Sequence, residues 1–132
     1  MIRLLWRVAD DDYIPDAASF ARERVDAEAY FDNPGYGGAS LWRAVADVPE
    51  DAVLNLYDEQ DAVGWLAEEY DLQNPGAINV EEWIPRDPDL QALLRDDGYD
   101  WVVVRDSFPE NAETWLWIGP FEREPELEEV RR

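Results

Sequence analysis

Any chemistry this chain performs rests on carboxylates, hydroxyls and arginines. Its 132 residues contain no His and no Cys, and all 11 basic residues are Arg. That composition excludes a His-centred triad, a Cys nucleophile, a Schiff-base lysine and zinc sites of the Cys/His type. What remains is Arg7 in an alternating segment, Ser19 ahead of an apolar stretch, the rings of Tyr30, Tyr36 and Trp42, and Glu113 close before Trp115 and Trp117. A guanidinium is a forked donor suited to phosphate or carboxylate. An aromatic ring stacks on a planar heterocycle, and a carboxylate stabilises developing positive charge. Each residue also has an ordinary reading: Arg7 as a solvated strand arginine, Ser19 as a helix cap, the rings as core, and Glu113 as one of 15 glutamates on a carboxylate-rich surface. Asp10-Asp11-Asp12 offers oxygens to a hard cation but lacks the Gly and closing Glu of a calcium loop, so no metal site is assigned.

The balance of 32 acidic against 11 basic residues gives a formal charge of −21. Such a field repels phosphate backbones, so direct nucleic-acid binding is not expected, whereas a basic protein partner is steered in. Two readings of the acidity stay open. One is solubility in concentrated salt or a coding bias toward Arg; the other is a decoy surface that imitates nucleic acid. With 46% hydrophobic and 13% aromatic residues the chain is too apolar for a disordered acidic tail. Its length fits one domain. The segment from Met1 to Arg7 lacks the apolar run of a signal peptide or membrane span, and the absence of Cys removes a disulfide framework, so the expected compartment is the cytoplasm.

Elements must position these side chains. Ile2, Leu4, Trp6 and Val8 alternate with Arg3, Leu5 and Arg7, which predicts a strand that turns Arg7 away from the main apolar stripe. The stretch from Ala17 to Phe31 reads as helical, at least from Val25, and ends at Asn33-Pro34-Gly35. Segments 39–46 and 52–57 read as strands joined in a hairpin through Asp47-Val48-Pro49-Glu50. A helix is predicted over 59–70, stopped by Asn74-Pro75-Gly76, with Gly64 weakening it. A further short helix starts with Asp87 as N-cap and Pro88 at the first position, and ends before Gly98. Segments 101–105 and 114–118 form a second hairpin. The chain thus reads as one α+β domain over 1–121, with a mixed or antiparallel sheet and short helices, followed by an acidic tail over 122–132 that is expected to fray.

In this order, several segments resemble the ADP-ribosyltransferase fold of small bacterial and phage proteins, over roughly residues 2 to 122. Leu5-Trp6-Arg7-Val8 is similar to the family's opening strand with its dinucleotide-gripping Arg. Ser19-Phe20-Ala21, followed by Ala27 and Tyr30, is similar to its next segment, except that Ala21 stands where Ser or Thr is usual. Gly37-Gly38-Ala39-Ser40-Leu41-Trp42 resembles its Gly-rich turn into a strand, and Gly98-Tyr99-Asp100 with Trp101-Val102-Val103-Val104 is the closest match. Glu113 falls at the family's catalytic position, although Asn111 replaces the usual Glu or Gln two residues earlier. The resemblance implies NAD as substrate, held by Arg7 and Ser19 with Tyr30 near the nicotinamide, and Glu113 as the catalytic carboxylate steadying a ribosyl cation. It also implies modification of a host or partner protein, as by a phage-encoded inhibitor of bacterial defence. The rival reading needs neither pocket nor NAD: an acidic, non-enzymatic inhibitor occupies the basic groove of a nucleic-acid-binding protein. A third, an accessory domain that has lost its chemistry, follows from Ala21 and Asn111.

Overall fold

Seven strands make one mixed sheet in a computed structural model that describes residues 1–76 and 78–130. The strands are β1 (Ile2–Ala9), β2 (Ala18–Ala21), β3 (Ser40–Asp47), β4 (Val53–Asn55), β5 (Trp101–Arg105), β6 (Glu113–Trp117) and β7 (Glu126–Val130), in the order β4-β5-β6-β2-β1-β3-β7. Only β4 and β5 pair in parallel; the other neighbours are antiparallel. Among the described residues four short helices, α1 (Arg24–Glu28), α2 (Ala62–Glu69), α3 (Val80–Arg86) and α4 (Pro88–Asp96), complete the α+β arrangement.

The sheet must roll up. Consecutive β3 and β4 stand five positions apart in the strand order, about 24 Å in a flat sheet with strands about 4.8 Å apart. The chain from Asp47 to Val53 spans at most about 21 Å even fully extended, and part of it is a 3₁₀ turn over Glu50–Ala52. Curling closes the gap: Met1 and Arg3 at the start of β1 line the same recess as Val53 and Asn55 of β4. Inside the roll lie Leu5, Phe20, Ala44, Val103, Trp115 and Trp117 around Trp101, which is 2% exposed. Trp101 meets Phe20 at 5.7 Å, Trp115 at 5.9 Å and Trp117 at 4.9 Å between ring centroids, in tilted and edge-on geometry. The outer faces of β5 and β6, Val102, Val104 and Leu116, are covered by Leu66 of α2, Trp83 and Ile84 of α3, and Leu90 and Leu94 of α4. A third cluster joins Val8 and Leu41 to Ala27 of α1 with Trp6, Tyr30, Phe31 and Tyr36 beside it.

The expected strand at 2–8, the helix over 59–70, the helix opened by Asp87-Pro88 and the hairpin from Trp101 all form. Asp87 Oδ1 accepts from the Leu90 N–H at 3.0 Å, and Gly98 takes φ +94° just past the end of α4. Other expectations are corrected. Residues 18–21 are not helical but form β2, because Phe20 pairs with Trp115 inside the roll, and α1 is confined to five residues. The hairpin expected between β3 and β4 does not form, since β4 joins β5 at the far edge. The stretch over 80–86, read as no element, is α3: it contains Pro85, and Val80, Trp83 and Ile84 are buried, so packing holds a helix that local propensity disfavours. The tail expected to fray supplies β7, which pairs with β3 from Val45↔Glu126 to Leu41↔Val130. Leu127 packs inside the roll and Val130 outside it, while Arg43 holds Glu128 at 2.8 Å. Arg131 and Arg132, the rest of that tail, lie outside the described residues.

Candidate functional site

Strands β1 and β2 pair only at Trp6↔Ala21. Beyond that point they part, and the gap is a cavity of about 330 Å³ whose walls come from β1, β2, α1 and the two turns after it. Arg7, Ser19 and Tyr30 all line it, with Tyr36, Asp11 and Asp26. Three of the four residues that the resemblance assigns to an NAD site therefore line one cavity.

Arg7 lies on the strand face opposite Trp6 and Val8, as the alternation requires, but that face is the interior of the roll it shares with buried Leu5. Its Nη1 donates to the Ser19 carbonyl oxygen at 3.0 Å, its guanidinium stands 5.8 Å from the centroid of Phe20, and its Nε is buried with no hydrogen-bond partner among the described residues. No carboxylate forms an ion pair with it among the described residues. Burial lowers the guanidinium's pKa, and the nearby Tyr36 and Tyr30 phenols and Asp11 oppose that shift. A desolvated cation with an open donor is a receptor for an anionic or carbonyl oxygen. Ser19 contributes its backbone carbonyl to this contact, and its side chain is exposed on the outer face of β2.

Tyr30 sits in the 3₁₀ turn after α1, donates its hydroxyl to the Phe108 carbonyl at 3.1 Å, and packs edge-on against Tyr36 at 5.4 Å and Phe108 at 5.3 Å. Burial, reinforced by Asp106 and Tyr36 and opposed by Arg7, pushes its phenol up to about 12. Asp26 on the α1 wall is shifted upward by burial and by Glu23. Trp42, the other ring considered for stacking, donates Nε1 to the Ala9 carbonyl at 3.1 Å and is not among the lining residues.

Glu113 is elsewhere. Its neighbours Ala112 and Thr114 line the Arg7 cavity, but the Glu113 side chain faces a separate recess with Arg3, Arg22 and Trp115. There it accepts from Arg22 Nη1 at 3.3 Å and from Trp115 Nε1 at 3.0 Å. Trp115 and Trp117 are each 5% exposed and belong to the core. Sequence reasoning passed over Asp106, whose field acts on Tyr30 and whose carboxylate accepts from Thr114 Oγ1 at 2.9 Å and from the Phe108 N–H at 3.2 Å. The spacing Asp106-x-Phe108, an aspartate that closes a turn onto the N–H two residues on, was the available signal. Among the described residues no group of three or more acids is placed to hold a metal ion.

Neither a protein-family model nor a curated protein matches the sequence. A solved structure described as "Crystal structure of an anti-CRISPR protein" is similar over 98% of this chain and 96% of that one, with a TM-score of 0.56 and 14% sequence identity. The likeness runs nearly end to end and, at that identity, is one of fold.

Proposed function

We propose that this chain is a small inhibitor of a CRISPR-type defence system, acting by binding one of its proteins through an acidic surface that competes with nucleic acid. The observation that carries the reading is the whole-length fold likeness to an anti-CRISPR protein. The charge of −21 supports the mode of action, because a machinery that handles nucleic acid presents basic grooves to which such a field is attracted. The test is a phage-plating assay in cells with active CRISPR interference, with and without the chain, followed by competition between the chain and DNA for the purified effector. Plating should rise by orders of magnitude, and competition should weaken as salt increases. Unchanged plating against every effector type tried would sink the proposal.

A second reading has its own support. Arg7, Ser19 and Tyr30 line one cavity, and the open Nε of Arg7 suits a phosphate-bearing ligand such as NAD. The cavity is at the small end of ligand pockets, typically about 300–1,000 Å³. On this reading the inhibitor would be an ADP-ribosyltransferase, with Arg7 holding the pyrophosphate and Tyr30 beside the nicotinamide. Glu113 fits its part poorly, because Arg22 and Trp115 engage both of its oxygens in another recess. Calorimetry with NAD separates the two: heat that disappears in Arg7→Ala favours the transferase, and no heat in any sample favours the acidic competitor.

A further inference from the structure

On the other side of Tyr13 from the Arg7 cavity, the connection from β1 to β2 faces the connection from β6 to β7 across a groove of about 450 Å³. Two aromatic rings stand over it in solvent: Tyr13 is 70% exposed and Phe121 82%. Its floor is buried and mostly apolar, with Ala17, Trp117 and Ile118 beside Gln91, whose Nε2 donates to the Ile84 carbonyl at 2.8 Å. Three carboxylates, Asp12, Asp16 and Glu124, complete the rim, and none of them is in an ion pair among the described residues. Arg95, which also lines the groove, donates Nη1 to the Ile118 carbonyl at 3.0 Å.

Large rings are rarely left exposed together at a concave site, and the surrounding acids specify what covers them. We propose that this groove docks an arginine-bearing segment of the protein partner: the guanidinium stacks on Tyr13 and Phe121, its N–H groups bond to the carboxylates, and its aliphatic stem lies along the apolar floor. The inference rests on the inhibitor reading, which calls for a basic partner, and assigns the surface that meets it. A carboxylate surface alone would attract cations everywhere; the two rings make this groove selective for a planar cation over a compact ammonium.

The probe is a blocked peptide, acetyl-Gly-Arg-Gly-Arg-amide, titrated into the isotope-labelled full chain and followed by amide chemical shifts, with the Lys analogue beside it. Shifts should cluster at residues 12–17 and 118–124, and the Lys analogue should bind more weakly. Tyr13→Ala/Phe121→Ala should weaken binding by about tenfold. Both side chains are largely in solvent, so the double variant keeps its fold, which circular dichroism verifies. A control variant, Asp58→Asn/Glu59→Gln/Glu81→Gln, removes three charges from a different acidic recess and should change affinity less than about twofold. Shifts spread evenly over the acidic surface, or equal affinity in the Tyr13/Phe121 variant, would overturn the proposal. Failure of the inhibitor reading is told apart by the plating assay: wild type that leaves plating unchanged sinks that reading while localised peptide binding stands. Protection retained in full by the double variant overturns the groove as the partner's docking surface.

Discussion

Tyr30 shows how far a single residue's setting departs from its type. Its phenol, pushed up to about 12 chiefly by burial, holds its proton more tightly in the folded chain than in the unfolded one, where about 10 is usual. Its contribution to stability is therefore complete below about pH 10 and is lost as pH rises through about 12. Between those values wild type should lose stability more steeply than Tyr30→Phe, as read by urea midpoints at stepped pH, and coincident curves would show that the phenol is not held. The residue types were legible in the sequence: without His, Cys or Lys, the candidates reduced to arginines, hydroxyls, rings and acids, and Arg7, Ser19 and Tyr30 do share a cavity. Glu113 does not join them: Thr114 lines the cavity, but the Glu113 side chain faces the recess beside Arg3, at the opposite end of β1 from Arg7.

At the scale of elements, the cap of α2 explains a glycine that reads as a flaw in the sequence. Asp61 folds back to accept from the Gly64 N–H at 3.0 Å, and a Cβ at residue 64 would collide with that carboxylate. Gly64→Ala, which raises helix propensity by about 1 kcal/mol in an ordinary helix interior, should here fail to stabilise and should cost about 1 kcal/mol by displacing the cap. A urea midpoint above that of wild type would refute this account. β7 offers a larger effect. Ending the chain at Glu124 removes the ladder on β3 and the half-buried Leu127 and Val130, so chemical denaturation should show a loss of about 2–4 kcal/mol. An unaltered midpoint would mean that the acidic tail contributes nothing. Elements with strong local punctuation, such as Asp87-Pro88 before α4, were readable from sequence. β2 was not, because four residues flanked by turns carry too little periodicity, and β7 was hidden by its glutamates, since Glu126, Glu128 and Glu129 are three of its five residues and fall on both faces.

For the molecule as a whole, charge and shape act together. A net charge of −21 on a domain this small opposes its own compaction. Raising KCl from about 0.01 M to about 1 M shortens the screening length from about 30 Å to about 3 Å, and should raise the melting temperature by about 3–6 °C. Sucrose of equal osmolality serves as the control for general solute effects. A melting temperature indifferent to KCl would indicate that the carboxylates are spaced too widely to repel one another. The same salt series weakens any docking that rests on charge, so stability and partner binding are expected to move in opposite directions.

The sequence by itself determined the menu of chemistry, the sign of the molecular field and the α+β character, since these depend on residue types and on local apolar periods. The rolling of the sheet, the transfer of β4 to the far edge, the capture of β7 by β3 and the separation of Glu113 from Arg7 were decided only by the tertiary structure. Each depends on which strands meet, and strand pairing is a contact between segments distant along the chain that no local pattern encodes. Phe20, Trp101, Trp115 and Trp117 come from three different strands, and burying them together selects the roll over a flat sheet.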